Sequence, residues 1–268
     1  MPAILVPVAL HPSLTVSRYY NNTYLYDESP QCGSLSTNEC IAIRGGAFDE
    51  SSSSTLTNIA DASDLESLDS QAQLDANPVL SGTDTLTING TFQVEKYPFA
   101  IPRSDRLQFM DWSQLGLGKD SSLLTMLRNQ GSIASRTFSL YWGQTGISPD
   151  HQLEGNLVLG GLDLAKATGK NHTTSIKRGS ACPSGLLVSV SDITLEFPNG
   201  TSASIMAGGV GQSLNYCLAP EYPIITMPWD LWEKWMNAYP QMATDANAHA
   251  RAAGQPNLWG LVFPPDLM

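Results

Sequence analysis

Side chains able to carry chemistry are scattered along this sequence rather than grouped. The four histidines, His11, His151, His172 and His249, stand singly without metal-ligand spacing, so surface or turn positions and no metal are expected. Ser13, Ser184 and Ser213 lack the Gly-x-Ser-x-Gly context that lifts a nucleophile on a strained turn. Gly116-Leu117-Gly118-Lys119-Asp120-Ser121 has glycines but not the Lys-Ser/Thr end of a phosphate loop, and Gly208-Gly209-Val210-Gly211 reads as a flexible turn. No cofactor is therefore expected. Carboxylate chemistry remains, in which two acids held close together share a proton. Asp27 and Glu28 precede Ser29-Pro30 and read as turn residues, and residues 1–26 contain no Asp or Glu.

Four cysteines fall in two local groups, Cys32/Cys40 and Cys182/Cys217. Of the three possible pairings, loop closure favours near neighbours, 32–40 and 182–217. Neither spacing fits a zinc ribbon or finger. Asn-x-Ser/Thr sequons occur at Asn21, Asn89, Asn171 and Asn199. An even cysteine count with sequons implies a secreted glycoprotein. The apolar stretch Pro2–Leu10 has no basic leader residues and no small-residue cleavage site, so a strand rather than a signal peptide is expected there. The expected location is extracellular or in a cell wall, although no signal peptide is visible.

The 268 residues carry 25 acidic and 14 basic side chains, a formal charge of −11, which repels phosphate backbones and anionic lipid. Neither a nucleic-acid nor a membrane partner is expected, and no apolar run reaches the length of a membrane-spanning helix.

The elements that would position any site are mostly short strands. Thr85–Ile88 and Thr91–Val94 alternate around Asn89-Gly90, a two-residue hairpin signal. Leu186–Phe197 is a long alternating run ending at Pro198-Asn199-Gly200, and Gly155–Leu159 is a strand stopped by Gly160-Gly161. Two helices are predicted: Ser121–Asn129, stopped by Gly131, and Trp229–Tyr239. The second carries an aromatic stripe (Trp229, Trp232, Trp235, Tyr239, with Met236) expected to face a core. Residues 50–82, rich in Ser and Asp, read as a solvated loop.

Several phrases in order resemble the pepsin-like aspartic peptidases, especially their fungal branch. Arg44-Gly45-Gly46-Ala47-Phe48-Asp49 with the serine run Ser51–Ser54 and Thr55 is similar to "RGG-x-F-[ND]…SST" after a first disulfide loop, where Cys32 and Cys40 sit. Gly82–Leu86 looks like the strand leaving the flap, and Leu115-Gly116-Leu117-Gly118 matches "LGLG". Gln130–Ile133 with Phe138–Tyr141 matches "QG-x-I…FSLYL", and Gly155–Asp163 matches "G-x-L-x-LGG-x-D". Cys182-Pro183-Ser184-Gly185 resembles the fungal branch's second-lobe segment. The resemblance implies an all-β, bilobal pepsin-like acid-protease fold with a few short helices and a cleft between lobes. The lobes are placed at 1–105, incomplete at its start, and 106–268, with the second lobe shortened because only about forty residues follow Pro228.

Such a peptidase places one Asp on each lobe, each opening an Asp-Thr/Ser-Gly turn whose glycine lets backbones approach. Neither tripeptide occurs in this chain. Ile224-Ile225-Thr226-Met227-Pro228 resembles the family's "LLTGP" tail, which places the second acid at Ala219, with Pro220 and Glu221 at the Thr and Gly positions. The first acid's place is expected after the strand Val8–Leu10, at His11. A flap aromatic is also missing, since no Phe, Tyr or Trp lies between Phe48 and Phe92. Expected is a monomeric, non-catalytic relative that binds peptides or cell-wall polymers; the alternative is an aspartic endopeptidase whose catalytic segments lie outside this sequence.

Overall fold

The protein is described here by a computed structural model, over residues 4–8, 14–18, 20–27, 36–43, 46–59, 79–88, 90, 92–102, 113–142, 155–167, 169–177, 182, 184–196, 200–206, 213–220, 227–238, 249–251 and 259–261. Chain contacts divide into two units, one of residues 1–173 with 219–221, the other of 174–218 with 222–268. In chain order the first holds β1 (Ile4–Val8), β2 (Leu14–Ser17), β3 (Thr23–Tyr24), α1 (Thr37–Ile43), β4 (Thr57–Ile59), β5 (Val79–Ile88), β6 (Phe92–Pro102), β7 (Ser113–Gly116), α2 (Ser122–Asn129), β8 (Phe138–Tyr141) and β9 (Gly155–Leu159). The second holds β10 (Leu187–Val190), β11 (Thr194–Glu196), β12 (Ser202–Ser204), β13 (Leu214–Cys217), α3 (Trp229–Ala238), β14 (His249–Arg251) and β15 (Trp259–Leu261). The all-β expectation holds: strands dominate and the helices are short.

The first unit contains a six-stranded sheet, ordered β2-β7-β3-β6-β5-β4, and a three-stranded sheet, ordered β1-β9-β8. Its core gathers Val16, Val94, Tyr97, Leu115 and Leu117 with Leu123, Leu124 and Leu127 of α2, and with Ile133, Leu157 and Leu159. Because β7 and α2 are built into this core, the division expected at 105/106 does not coincide with the contacts, which place residues 113–173 with the first unit. Pairing between residues a hundred positions apart leaves no local mark in a sequence.

The β5–β6 hairpin forms where its turn signal lies, but Ile88 pairs with Phe92. Three residues therefore separate the strands instead of two, with Gly90 at φ +64°. Further along, Asp84 pairs with Tyr97 and Leu86 with Val94, so Glu95 and Lys96 face the single residue Thr85. This bulge, with Lys96 at φ +52°, interrupts the two-residue alternation and turns both Val94 and Tyr97 inward.

Helix α2 is set as its sequence predicts. The Ser121 hydroxyl accepts from Leu124 N at 3.2 Å, capping the helix, and donates to the Gly116 carbonyl at 2.7 Å. Gly131, at φ +75°, ends it. Helix α1 has no counterpart in the sequence reading.

The stretch 50–82 is only partly loop. Asp49 accepts from Ser51 N at 2.9 Å and from the Ser51 hydroxyl at 2.6 Å, closing a short 3-10 turn at Glu50–Ser52. Ser53 donates to Asp84 at 2.7 Å, and Thr55 also donates to it, fastening this segment to β5. Burial alone pushes the Asp84 carboxyl up, but hydrogen bonds from Thr55, Ser53 and Thr85 N outweigh it and hold the group below the ordinary carboxylate range. Residues 60–78, which include most of the acidic stretch and the expected flap, lie outside the described residues.

In the second unit the pairs are β10-β13, β11-β12 and β14-β15. The run predicted as one strand over 186–197 is two, because the chain breaks after Val190 and Asp192 accepts from Ile193 N at 2.8 Å. Helix α3 forms, but its aromatic stripe does not face a core throughout: Leu231 is buried while Trp229 is 60% exposed. Met236 and Tyr239 side chains lie outside what is described. Among the described residues no helix is long and apolar enough to cross a membrane.

Candidate functional site

Strand β2, which carries the apolar Leu14 and Val16 and lies ahead of the first cysteine pair, ends in a tightly constrained loop. Strand β7 lies between β2, its parallel partner, and β3, its antiparallel partner. The link from β2 to β3, residues 18–22, must therefore pass over the end of β7, where Leu115-Gly116-Leu117-Gly118 begins its turn into α2.

Backbone bonds define the crossing. Leu117 N donates to the Ser17 carbonyl at 2.7 Å, Gly118 N to the Tyr20 carbonyl at 2.7 Å, and Ser122 N to the Asn21 carbonyl at 3.1 Å. Asn21 Oδ1 accepts from Asp120 N at 2.8 Å. Two glycines make this approach possible. A Cβ on Gly116 would fall onto the Asn22 carbonyl, and one on Gly118 would stand 2.7 Å from the Tyr20 carbonyl oxygen. The "LGLG" phrase thus has a steric reason, namely the loop it receives.

Side chains on the crossing are buried and hydrogen-bonded. The Ser17 hydroxyl accepts from Tyr20 N at 3.2 Å. The Thr23 hydroxyl lies 2.6 Å from the Tyr97 hydroxyl and accepts from Gly116 N at 3.4 Å. Burial raises the Tyr97 phenol above its ordinary value, with bonds to Thr23 and Ser122 acting in the opposite direction. Arg18, Tyr20, Asn21 and Asn22 are buried, and the Tyr20 and Tyr24 rings pack 4.9 Å apart.

This loop contains a guanidinium, two phenols and two amides, but no carboxylate. A guanidinium stays protonated in proteins and cannot serve as a base, and amides do not titrate. The loop's described side chains are buried, and with no carboxylate it cannot share a proton with a partner acid. Beyond β3, Asp27 is buried in a bridge with Phe48 rather than standing in an open turn as expected, and Phe48 N donates to the Tyr26 carbonyl at 2.7 Å.

The second position is built differently. Strand β13 ends at Cys217, whose disulfide to Cys182 spans 5.2 Å between Cα atoms. The Ser184 hydroxyl donates to the Leu218 carbonyl at 2.6 Å, and Leu218 N donates to the Leu186 carbonyl at 3.0 Å. Ala219 and Pro220 follow directly, both half-buried, and Glu221 lies outside the described residues. A methyl group and a pyrrolidine ring offer nothing to ionise, and the proline has no N–H to donate.

His11 lies outside the described residues, as do Cys32, Asn89 and Asn199. Cys40 is buried and disulfide-bonded, and Cys182–Cys217 is the expected pair. Asn171 is exposed. Asn21 is only 9% exposed and its side-chain oxygen accepts from Asp120 N. Nothing in the local pattern of residues 18–22 marks this loop; the signal in the sequence that bears on it is the pair of "LGLG" glycines, which receive a closely packed backbone.

A family model described as Asp, eukaryotic aspartyl protease, matches residues 29–207, more than half of the chain. No curated protein matches it.

Proposed function

This chain belongs to the eukaryotic aspartyl protease family, and we propose that it is a non-catalytic, secreted member that retains peptide binding without peptide hydrolysis. The observation that carries this reading is the lack of an acid on both loops where paired carboxylates would be required. We place the first position in the 18–22 loop, since that loop follows a strand with apolar Leu14 and Val16 ahead of Cys32 and packs on the "LGLG" turn. It holds Arg18, Tyr19, Tyr20, Asn21 and Asn22. The second position holds Ala219 and Pro220.

Water attack on a peptide carbonyl needs one carboxylate as base and a second, protonated one to polarise the carbonyl. Glu221 alone would lack a partner acid from the first loop, and such pairing tolerates little misplacement. The backbone hydrogen bonds that hold both segments in place are what the reading offers in support of binding without cleavage. An acidic casein or haemoglobin digestion by the purified chain, with and without a pepstatin-type inhibitor, tests the proposal. No inhibitor-sensitive cleavage is expected; its appearance would overturn the non-catalytic reading.

A further inference from the structure

Two sequon asparagines fall among the described residues, and the structure treats them in opposite ways. Asn21 is buried at the crossing over β7. Asn171, in Asn171-His172-Thr173, lies in the middle of residues 169–177, every one of which is exposed and none of which belongs to a helix or strand. The tract begins at Gly169, with φ +80°, and is fixed at its far end where Thr174 Oγ1 donates to the Leu187 carbonyl at 3.4 Å and Lys177 N to the Gly185 carbonyl at 2.9 Å. The boundary between the two units falls at 173/174, inside the same tract.

Such a segment is open to two kinds of enzyme. Oligosaccharyl transfer requires an accessible Asn-x-Ser/Thr in an extended, adaptable backbone. Proteases favour the same exposure, and Lys170 immediately precedes Asn171. We propose that Asn171 carries an N-linked glycan and that this glycan shields the junction between the units from proteolysis after Lys170. The co-substrate is an oligosaccharide linked through diphosphate to a lipid. Asn171 Nδ2 forms a bond to the sugar's anomeric carbon, the bond from that carbon to the diphosphate oxygen breaks, the lipid diphosphate leaves with the electron pair, and the amide gives up one proton. Passage through a secretory compartment is consistent with the Cys182–Cys217 disulfide. The proposal stands apart from whether the chain hydrolyses peptides.

The whole chain, expressed behind a secretion leader in a eukaryotic host, is mapped by glycopeptide mass spectrometry after enzymatic deglycosylation, which converts each occupied Asn to Asp. Asn171 is expected to be occupied and Asn21 empty in the secreted protein. Under native trypsin the cut after Lys170 is absent in the glycosylated form and returns on deglycosylation. Thr173→Ala loses the glycan and gains the cut, whereas Thr173→Ser, which keeps the sequon, preserves both glycan and protection. An empty Asn171 in wild type and in Thr173→Ser overturns the site, whether read on secreted or retained protein. An equal cut with and without the glycan overturns the shielding role.

Discussion

The loop at 18–22 and the turn at Ala219-Pro220 lack the same chemical group, but they lack it in physically different ways. The first is a crossing whose backbone and side chains are consumed by contacts with Leu115–Ser122, including the glycine faces of Gly116 and Gly118. The second is the continuation of a strand end held by a disulfide and by the Ser184 hydroxyl, with half-buried residues beyond it. A side-chain change in the first loop is tied to packing, whereas in the second it is a local change on a strand end held by other groups. Stability requirements are therefore strong at one position and weak at the other.

The comparison is broken most directly at Gly116. Gly116→Ala puts a methyl group onto the Asn22 carbonyl, which is backbone and cannot rotate away, so a loss of about 3 kcal/mol is expected in denaturant or thermal unfolding. A variant as stable as wild type would show that the crossing is looser than its hydrogen bonds imply.

Acid sensitivity sharpens the contrast, because residues 18–22 and Ala219-Pro220 carry no carboxylate and the acid response must come from elsewhere. Asp84, whose folded-state pKa lies below its ordinary value, supplies one source. Its contribution is fully present above the unfolded carboxylate value near 4 and is lost as pH falls through the folded value beneath it. Asp84→Asn is expected to cost about 1 kcal/mol near neutrality, with the gap to wild type closing below about pH 4. Unfolding curves across that range check it, and a gap that widens on acidification would contradict the assignment.

The smallest effect is expected at the second position. Ala219→Asp should change stability by no more than about 0.5 kcal/mol, since the strand end is held by other groups. It should also bring no inhibitor-sensitive cleavage, since the first loop has no acid to pair with the new one. Cleavage by this single variant would show that the first loop is not where its partner acid belongs.

Features governed by near neighbours were readable from the residues. The β5–β6 hairpin, α2 with its Ser121 cap and Gly131 stop, and the strand ended by Gly160 each follow from spacings of a few positions. Even there, neighbours intervened: the hairpin loop is one residue longer because Ile88 pairs with Phe92, and the run from 186 to 197 breaks at Asp192, whose carboxylate accepts from Ile193 N and from the Ser204 hydroxyl. Trp229 looked inward by helical spacing, yet Leu231 took the buried place. A helical stripe gives the face that is apolar, but the elements packed against it decide which residue is covered.

Composition and order are properties of the chain itself, so the sequence alone determined that residues 1–26 hold no acid, that Asp-Thr-Gly and Asp-Ser-Gly are absent, and that Ala219 stands before the Pro228 tail. It also carried the family phrases in order. Only the tertiary structure decided which loop rests on the "LGLG" glycines, that residues 113–173 join the first unit, and that Asn21 is buried while Asn171 is open. Those outcomes depend on contacts such as Leu117 N to the Ser17 carbonyl, made between segments a hundred residues apart. Periodicity and spacing within a short window cannot encode such a pairing; closing the intervening chain and filling the shared core select it.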